Sequence, residues 1–358
     1  MQKNHLNFLD YKASMDYLSE DLDILSNDIQ DAGITGKKVF ITGGTGFLGS
    51  LIVKSFLIAN RKYRLDNTIV VLVRSTNKAN EIFGDLTYYG LRILVGEITQ
   101  LNINEKFHYI IHTASPTSSQ YFMTHPVEVL DINYQGTKKI LELAKLCDDT
   151  RVVCFSSMEA FGSVEENSKR IQEKELGYID LSSIRSCYSE GKRVLELLCK
   201  CYSDEYGVNV CVARLAQTFG AGIPKTDNRV FAQFAKSAKR GEDIVLHTLG
   251  KSVGNYCYTR DAIKGILTIL LKGMSGETYT VVNESTTMMI HEMAKLVAQL
   301  ISGGKSKVIF DIPKDNKYGY APETQMRLSS EKLRNLGWKA EVGLADMYRR
   351  MIPYIIID

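Results

Sequence analysis

The chain has 358 residues, with 44 Lys plus Arg against 41 Asp plus Glu and a formal net charge of +3. That balance argues against a dedicated nucleic-acid binder, and 44% hydrophobic with 24% charged residues describes an ordinary globular chain rather than a charged, disordered tail. The longest unbroken apolar run, Ile69–Val73, has five residues, whereas a membrane span needs about twenty.

The seven cysteines include no CxxC pair and the six His do not cluster with them, so no metal site is expected. Reduced thiols in a cytoplasmic protein are the expectation. Met1–Asp10 lacks the apolar stretch of a signal peptide. Met15, Leu18, Leu22, Leu25 and Ile29 recur at spacings of three and four. They predict a helix in an N-terminal extension over 1–36, packed on the body or serving as an oligomer contact.

From Lys37 strands and helices alternate. Strands are predicted at Lys38–Thr42, Thr68–Arg74, Leu91–Val95, Tyr109–His112, Arg151–Phe155 and Asn209–Arg214. Long helices are predicted over Val127–Cys147 and Ser186–Tyr206. Continuous apolar strands joined by helices predict an α/β fold with a doubly wound parallel sheet, the Rossmann arrangement, over 37–217. After Thr218 the pattern loosens into shorter elements. It reads as a smaller C-terminal α+β substrate lobe over 218–358, some segments of which return to the Rossmann sheet.

The strongest local signal is Thr42-Gly43-Gly44-Thr45-Gly46-Phe47-Leu48-Gly49, between a strand and a helix. Gly43, Gly46 and Gly49 let the turn tighten and let backbone N–H groups approach a pyrophosphate, whose charge the helix N-terminus stabilises. Thr45, Phe47 and Leu48 complete this cofactor-binding turn. The second strand then ends in Arg74, Ser75 and, shortly after, Lys78. An acidic residue there would favour the free ribose of NAD. Arg74 can instead pair with a 2′-phosphate, so NADP(H) is favoured over NAD(H). Glu97 and Ile98 follow the third strand and are candidates for the adenine edge.

The second signal is Tyr188-Ser189-Glu190-Gly191-Lys192. Tyr and Lys four apart share one helix face. A nearby ammonium would stabilise phenolate and make Tyr188 a usable acid/base. Ser157, at the end of the fifth strand, can hold a substrate oxygen.

These motifs together resemble the extended short-chain dehydrogenase/reductases that act on nucleotide sugars as epimerases, dehydratases and decarboxylases. The resemblance runs from about Lys37 to Met351. It also rests on His112–Pro116, Asn133–Thr137, Ser156–Gly162, Arg214–Gly220, Asp227–Val230, Met326–Leu328 and Leu336–Trp338. The UDP-glucuronate decarboxylase-like branch is the most similar in flavour. The resemblance implies Tyr188 as acid/base, Lys192 as its partner and ribose ligand, Ser157 as the hydroxyl orienter and Glu159 as a proton-transfer carboxylate. It adds Thr113, Ala114, Ser115, Thr218 and Arg229 to the cofactor site. It places Ser115, Thr117, Ser157, Gln217, Arg229 and Tyr258 along the nucleotide-sugar cleft. A homodimer through a four-helix bundle of the two long helices is implied as well.

The departures bear on the reaction. Met158-Glu159 stands where sugar 4,6-dehydratases carry Asp-Glu, which argues against dehydration. Gly254 stands where many relatives carry an Arg for the diphosphate or a sugar carboxylate, which argues against decarboxylation. Gln217 replaces a frequent Asn. With Arg74 pointing to a consumed NADPH, net reduction of a nucleotide-linked keto sugar is the leading expectation. The alternatives are a redox-neutral epimerase with recycled NAD, or a non-catalytic dinucleotide sensor.

Overall fold

The computed structural model describes residues 16–164, 169–313 and 323–357. Met15 and the Met1–Asp10 segment lie outside the described residues. Asp16 caps the first helix, α1 (Tyr17–Asp31), by accepting from the Ser19 N–H, and Leu22, Leu25 and Ile29 form its buried stripe.

The alternating part follows as β1 (Lys38–Thr42), α2 (Phe47–Tyr63), β2 (Thr68–Val73), α3 (Thr76–Phe83), β3 (Leu91–Val95) and β4 (Tyr109–His112). Next come α4 (Ser119–Thr124), α5 (Pro126–Asp131), α6 (Thr137–Ala144), β5 (Arg151–Ser157), α7 (Ser186–Tyr206) and β6 (Asn209–Leu215). The helix expected over Val127–Cys147 is one rod interrupted by a π turn at Ile132–Gly136. The later elements are β7 (Gln217–Phe219), α8 (Val230–Arg240), β8 (Ile244–Leu246), β9 (Val253–Gly254), β10 (Tyr256–Tyr258), α9 (Thr259–Lys272) and β11 (Thr278–Val281). After them come β12 (Met288–Met289), α10 (Ile290–Ser302), β13 (Val308–Phe310), α11 (Glu331–Arg334) and α12 (Leu344–Met351).

Seven strands form one parallel sheet in the order β11-β6-β5-β4-β1-β2-β3. This is a Rossmann-like α/β fold. The edge strand β11 returns from beyond residue 218, and α9 packs behind it. Val39, Ile41, Val71, Ile111 and Val153 point to one face, against α1, α2 and α9. Phe40, Val70, Ile110, Val152 and Val210 point to the other, against α6 and α7. This alternation covers both faces of the inner strands, so β1, β2 and β4 read as near-continuous apolar runs, while the edge strand β3 leaves Arg92 and Val95 exposed. A separate apolar cluster joins α8, α10 and α12 with Phe219, Tyr256 and Tyr258. The order reverses between β1 and β4, and such a reversal opens a crevice beyond the strands' carboxyl ends.

The N-terminal helix joins the two halves. It lies on α2 and α9, and its Leu18 N–H donates to the Tyr354 hydroxyl at 2.8 Å. Its buried Asp21 accepts from the Tyr258 hydroxyl and pairs with Arg260 at 3.3 Å and Arg350 at 3.4 Å. This corrects the expectation for Tyr258. Its side chain is fully buried and its hydroxyl is committed to Asp21, so it does not face a sugar cleft.

Candidate functional site

The turn after β1 is built to leave backbone exposed at the crevice. Gly43 has φ +67°, and a Cβ there would stand 2.6 Å from Thr113 Oγ1 and 2.9 Å from Ala114 Cα. The turn is therefore pressed against the segment after β4, which leaves no room for a side chain. Thr113 Oγ1 donates to the Thr42 carbonyl at 2.7 Å, and the Ala114 N–H donates to Thr42 Oγ1 at 3.2 Å. The Gly46 N–H bonds back to the Gly43 carbonyl at 2.9 Å, and Gly46 caps α2. A Cβ on Gly49 would overlap that same carbonyl. Thr45 is half-buried within the turn, and Phe47 and Leu48 open the helix. These features give a helix N-terminus with free N–H groups above a cradle that a Cβ would fill, which fits a dinucleotide diphosphate.

Arg74, Ser75 and Lys78 are exposed just beyond β2, with the Ser75 hydroxyl accepting from the Lys78 N–H at 3.3 Å to cap α3. Glu97 is exposed. The Ile98 side chain is buried beneath Gly136, so only its backbone can reach a ligand, which narrows its expected part.

The acid/base candidates converge at the ends of β5 and α7. The Tyr188 ring stacks on Phe122 with centroids 4.2 Å apart. Burial pushes its phenol up to about 12, and the Glu159 carboxylate adds to that; a hydrogen bond with Ser157, Arg185 and Arg229 pull the other way. Lys192 is fully buried on the same helix face, with Nζ 5.7 Å from the Tyr188 ring centroid and donating to the Phe155 carbonyl at 2.9 Å. Burial pushes its ammonium down to about 8. The lowered phenol expected beside Lys192 is not found: burial dominates, and the cations that pull the phenol down are Arg185 and Arg229. His112 accompanies this group. It is fully buried, pushed down to about 3 by burial and Lys192, and its Nδ1 lies 2.8 Å from Thr42 Oγ1.

Other candidates line the approaches. Ser115 Oγ lies 3.4 Å from Asn133 Oδ1, and Asn133 Nδ2 holds the Val129 carbonyl at 2.8 Å where the π turn begins. Thr117 is exposed. Gln217 leaves its buried Oε1 without a hydrogen-bond partner among the described residues, an acceptor open to a ligand. Thr218 is buried and donates to the Ala216 carbonyl at 3.0 Å. Arg229 caps α8, is paired with Asp227 at 2.6 Å and lies over the Phe231 ring.

Glu159 is not free. Arg185 grips both its oxygens, Nη1 at 2.7 Å and Nη2 at 3.0 Å, and Ser189 Oγ lies 3.3 Å from it. Sequence reasoning missed Arg185. Its place three residues before Tyr188 was visible, but its partner lies 26 positions away. Gly254 is equally informative, because a side chain there would overlap the Tyr256 hydroxyl. The Arg that many relatives carry has no room here.

A model of the NAD dependent epimerase/dehydratase family matches residues 39–283. The chain belongs to that family. The chain is similar to UDP-glucuronic acid decarboxylase 1 of Xenopus tropicalis, 28% identical over 321 residues, covering 89% of this chain and 72% of that protein. Among solved structures, a UDP-glucose 4-epimerase from Thermotoga maritima with UDP-glucose superposes with a TM-score of 0.73 at 20% identity, over 88% of this chain and 98% of that one. A dTDP-glucose 4,6-dehydratase from Bacillus anthracis in complex with NAD gives 0.71 at 19% identity, over 89% and 96%. The protein is therefore an enzyme of the epimerase/dehydratase type with the fold shared by these structures. Among the described residues, no helix is long and apolar enough to cross a membrane.

Proposed function

We propose that the protein is a redox-neutral nucleotide-sugar epimerase that holds and recycles NAD. The observation that carries this reading is the grouping of Tyr188 and Lys192, one turn apart on α7, with Ser157 at the end of β5, at the same end of the parallel sheet as the glycine turn after β1. The turn at Gly43–Gly49 would hold the diphosphate. Arg74, Ser75 and Lys78 would border the adenosine ribose, with Glu97 and the Ile98 backbone near the adenine. Thr113, Ala114, Ser115, Thr218 and Arg229 would border the nicotinamide half. The bound cofactor would supply reversible hydride acceptance.

Tyr188 would take the proton of a sugar hydroxyl as its carbon becomes a carbonyl and return a proton when the carbonyl is reduced. Ser157 would hold that oxygen, and the buried Lys192 would favour phenolate once positive charge gathers beside the ring. Ser115, Thr117 and Gln217 would contact the sugar. The net NADPH-dependent reduction that Arg74 suggested gains nothing from the family or its relatives, whereas the recycled cofactor fits them. Decarboxylation, the activity in the name of the Xenopus relative, is disfavoured by the missing Arg at 254 and by the engaged Glu159.

The test is to denature the purified protein, identify the released nucleotide, and offer UDP-, dTDP-, GDP- and CDP-sugars. Stoichiometric NAD with interconversion of two sugars and no net NADH is the expected result. Release of carbon dioxide from a uronic acid, or stoichiometric NADPH consumption, would overturn it. The 2′ position is tested separately. Arg74→Asp should raise the NAD-to-NADP affinity ratio about tenfold, ~1.4 kcal/mol by calorimetry. An unchanged ratio would leave Arg74 no part in choosing between the cofactors.

We also propose a homodimer through α5–α6 and α7. Val127 is 66% exposed and Leu197 63%, and Leu130, Tyr134 and Val194 are exposed beside them. A sedimentation mass of a single 40.2 kDa chain at micromolar concentration would refute the dimer.

A further inference from the structure

Arg185 and Glu159 form a two-pronged ion pair one helical turn before Tyr188. The pair belongs to the same knot as the candidate acid/base. The Glu159 N–H donates to Ser157 Oγ at 3.2 Å, and Ser157 is among the groups that pull the Tyr188 phenol down. Ser189, the residue after Tyr188, reaches the same carboxylate. The Arg185 guanidinium lies 5.9 Å from the centroid of Phe122, the ring on which Tyr188 stacks. Both partners are partly solvent-exposed, at 32% each, so the clamp sits at the mouth of the site rather than in the core.

We propose that Arg185 is a positioning residue for the acid/base site: it clamps the Glu159 carboxylate so that this charge does not act unbalanced on the Tyr188 phenol and the carboxylate is not free to exchange protons with a bound sugar. The other groups around the phenol do not replace it. Arg229, from the segment before α8, is already paired with Asp227. Lys192, on α7 itself, donates a hydrogen bond to the Phe155 carbonyl. Cys187 points its thiol at the Phe122 carbonyl, 3.6 Å away. Glu159 pushes the phenol up and Arg185 pulls it down, so removing one partner leaves the other uncompensated.

A consequence for specificity follows from the clamp. A carboxylate held by two N–H donors cannot deliver a proton to a leaving hydroxyl or to a carbanion. The clamp thereby confines the site to exchange of a hydroxyl proton by Tyr188. The inference rests on the reading of Tyr188 as the acid/base.

The test places an acidified, fluorinated tyrosine (2,3,5-trifluorotyrosine) at position 188 and follows its ionisation by fluorine NMR, with no cofactor or sugar required. Arg185→Met should move the titration up by about one pH unit and Glu159→Gln should move it down by a similar amount. The double variant should return near the parent. No movement in Arg185→Met, or no return in the double variant, overturns the proposal. If Arg185→Met does not fold, Glu159→Gln alone decides, because a phenol that fails to move down overturns it equally. In the unlabelled enzyme, Arg185→Met should lower kcat about tenfold at neutral pH with KM within twofold, and the double variant should recover most of it. A phenol that titrates as stated in a protein that converts no sugar would sink the proposed reaction and leave the clamp standing. Normal conversion with an unmoved phenol would sink the clamp alone.

Discussion

Tyr188→Phe is expected to lower turnover about a thousandfold or more, ~4 kcal/mol in the barrier, while leaving cofactor affinity within about twofold. The substitution removes one oxygen and little else. The phenylalanine ring keeps its stack on Phe122 and its place beside Val129 and Cys187. Lys192 keeps its bond to the Phe155 carbonyl, because that bond does not involve the phenol. What is lost is the phenol's interaction with Ser157, which retains the Glu159 N–H as a donor. The measurement is kcat on the sugar pair found by screening, alongside calorimetric titration of the cofactor. Turnover within tenfold of the parent would remove Tyr188 from the chemistry. A parallel loss of cofactor affinity would instead assign the phenol to binding.

The parts of the molecule that were readable from sequence are those whose physical cause is local. The inner strands of the central sheet are buried on both faces and read as apolar runs, and β1 and the partly exposed edge strand β3 begin and end where the pattern does. The glycine turn is legible because its requirement, room for backbone against backbone, concerns adjacent residues. Tyr188 and Lys192 are legible because they lie one turn apart. What escaped was set by partners distant in sequence. Tyr258 reads as a cleft residue until Asp21, 237 positions earlier, is seen to take its hydroxyl. Arg185 is one more surface cation until Glu159 appears in its fork. The π turn at 132–136 lies within an otherwise helical pattern, and its justification is tertiary: Gly191 of α7 lets that helix approach Asn133, to 3.1 Å for a Cβ placed on the glycine. The edge strand β11 could not be assigned to the sheet from its own four residues. Its membership depends on α9 carrying the chain back alongside β6.

Gly49→Ala is expected to weaken cofactor binding at least a hundredfold, ~2.7 kcal/mol, with the sheet intact by circular dichroism. The added methyl would overlap the Gly43 carbonyl and stand 3.0 Å from Thr113 Oγ1. Neither neighbour can retreat. The Gly43 carbonyl is held by the Gly46 N–H, and Gly43 itself abuts Ala114. Thr113 Oγ1 is held by the Thr42 carbonyl. The strain must therefore be relieved by moving the first turn of α2 away from the loop, and that turn carries the N–H groups that would face the diphosphate. Gly46→Ala is the control, since its methyl would lie 3.1 Å from the same oxygen, a conflict that a shift of a few tenths of an ångström removes. Titrating each variant with NAD should show Gly49→Ala far weaker than Gly46→Ala. Equal losses would mean that the closeness of α2 to the turn is not what holds the cofactor, and the diphosphate would have to be sought elsewhere along the crevice.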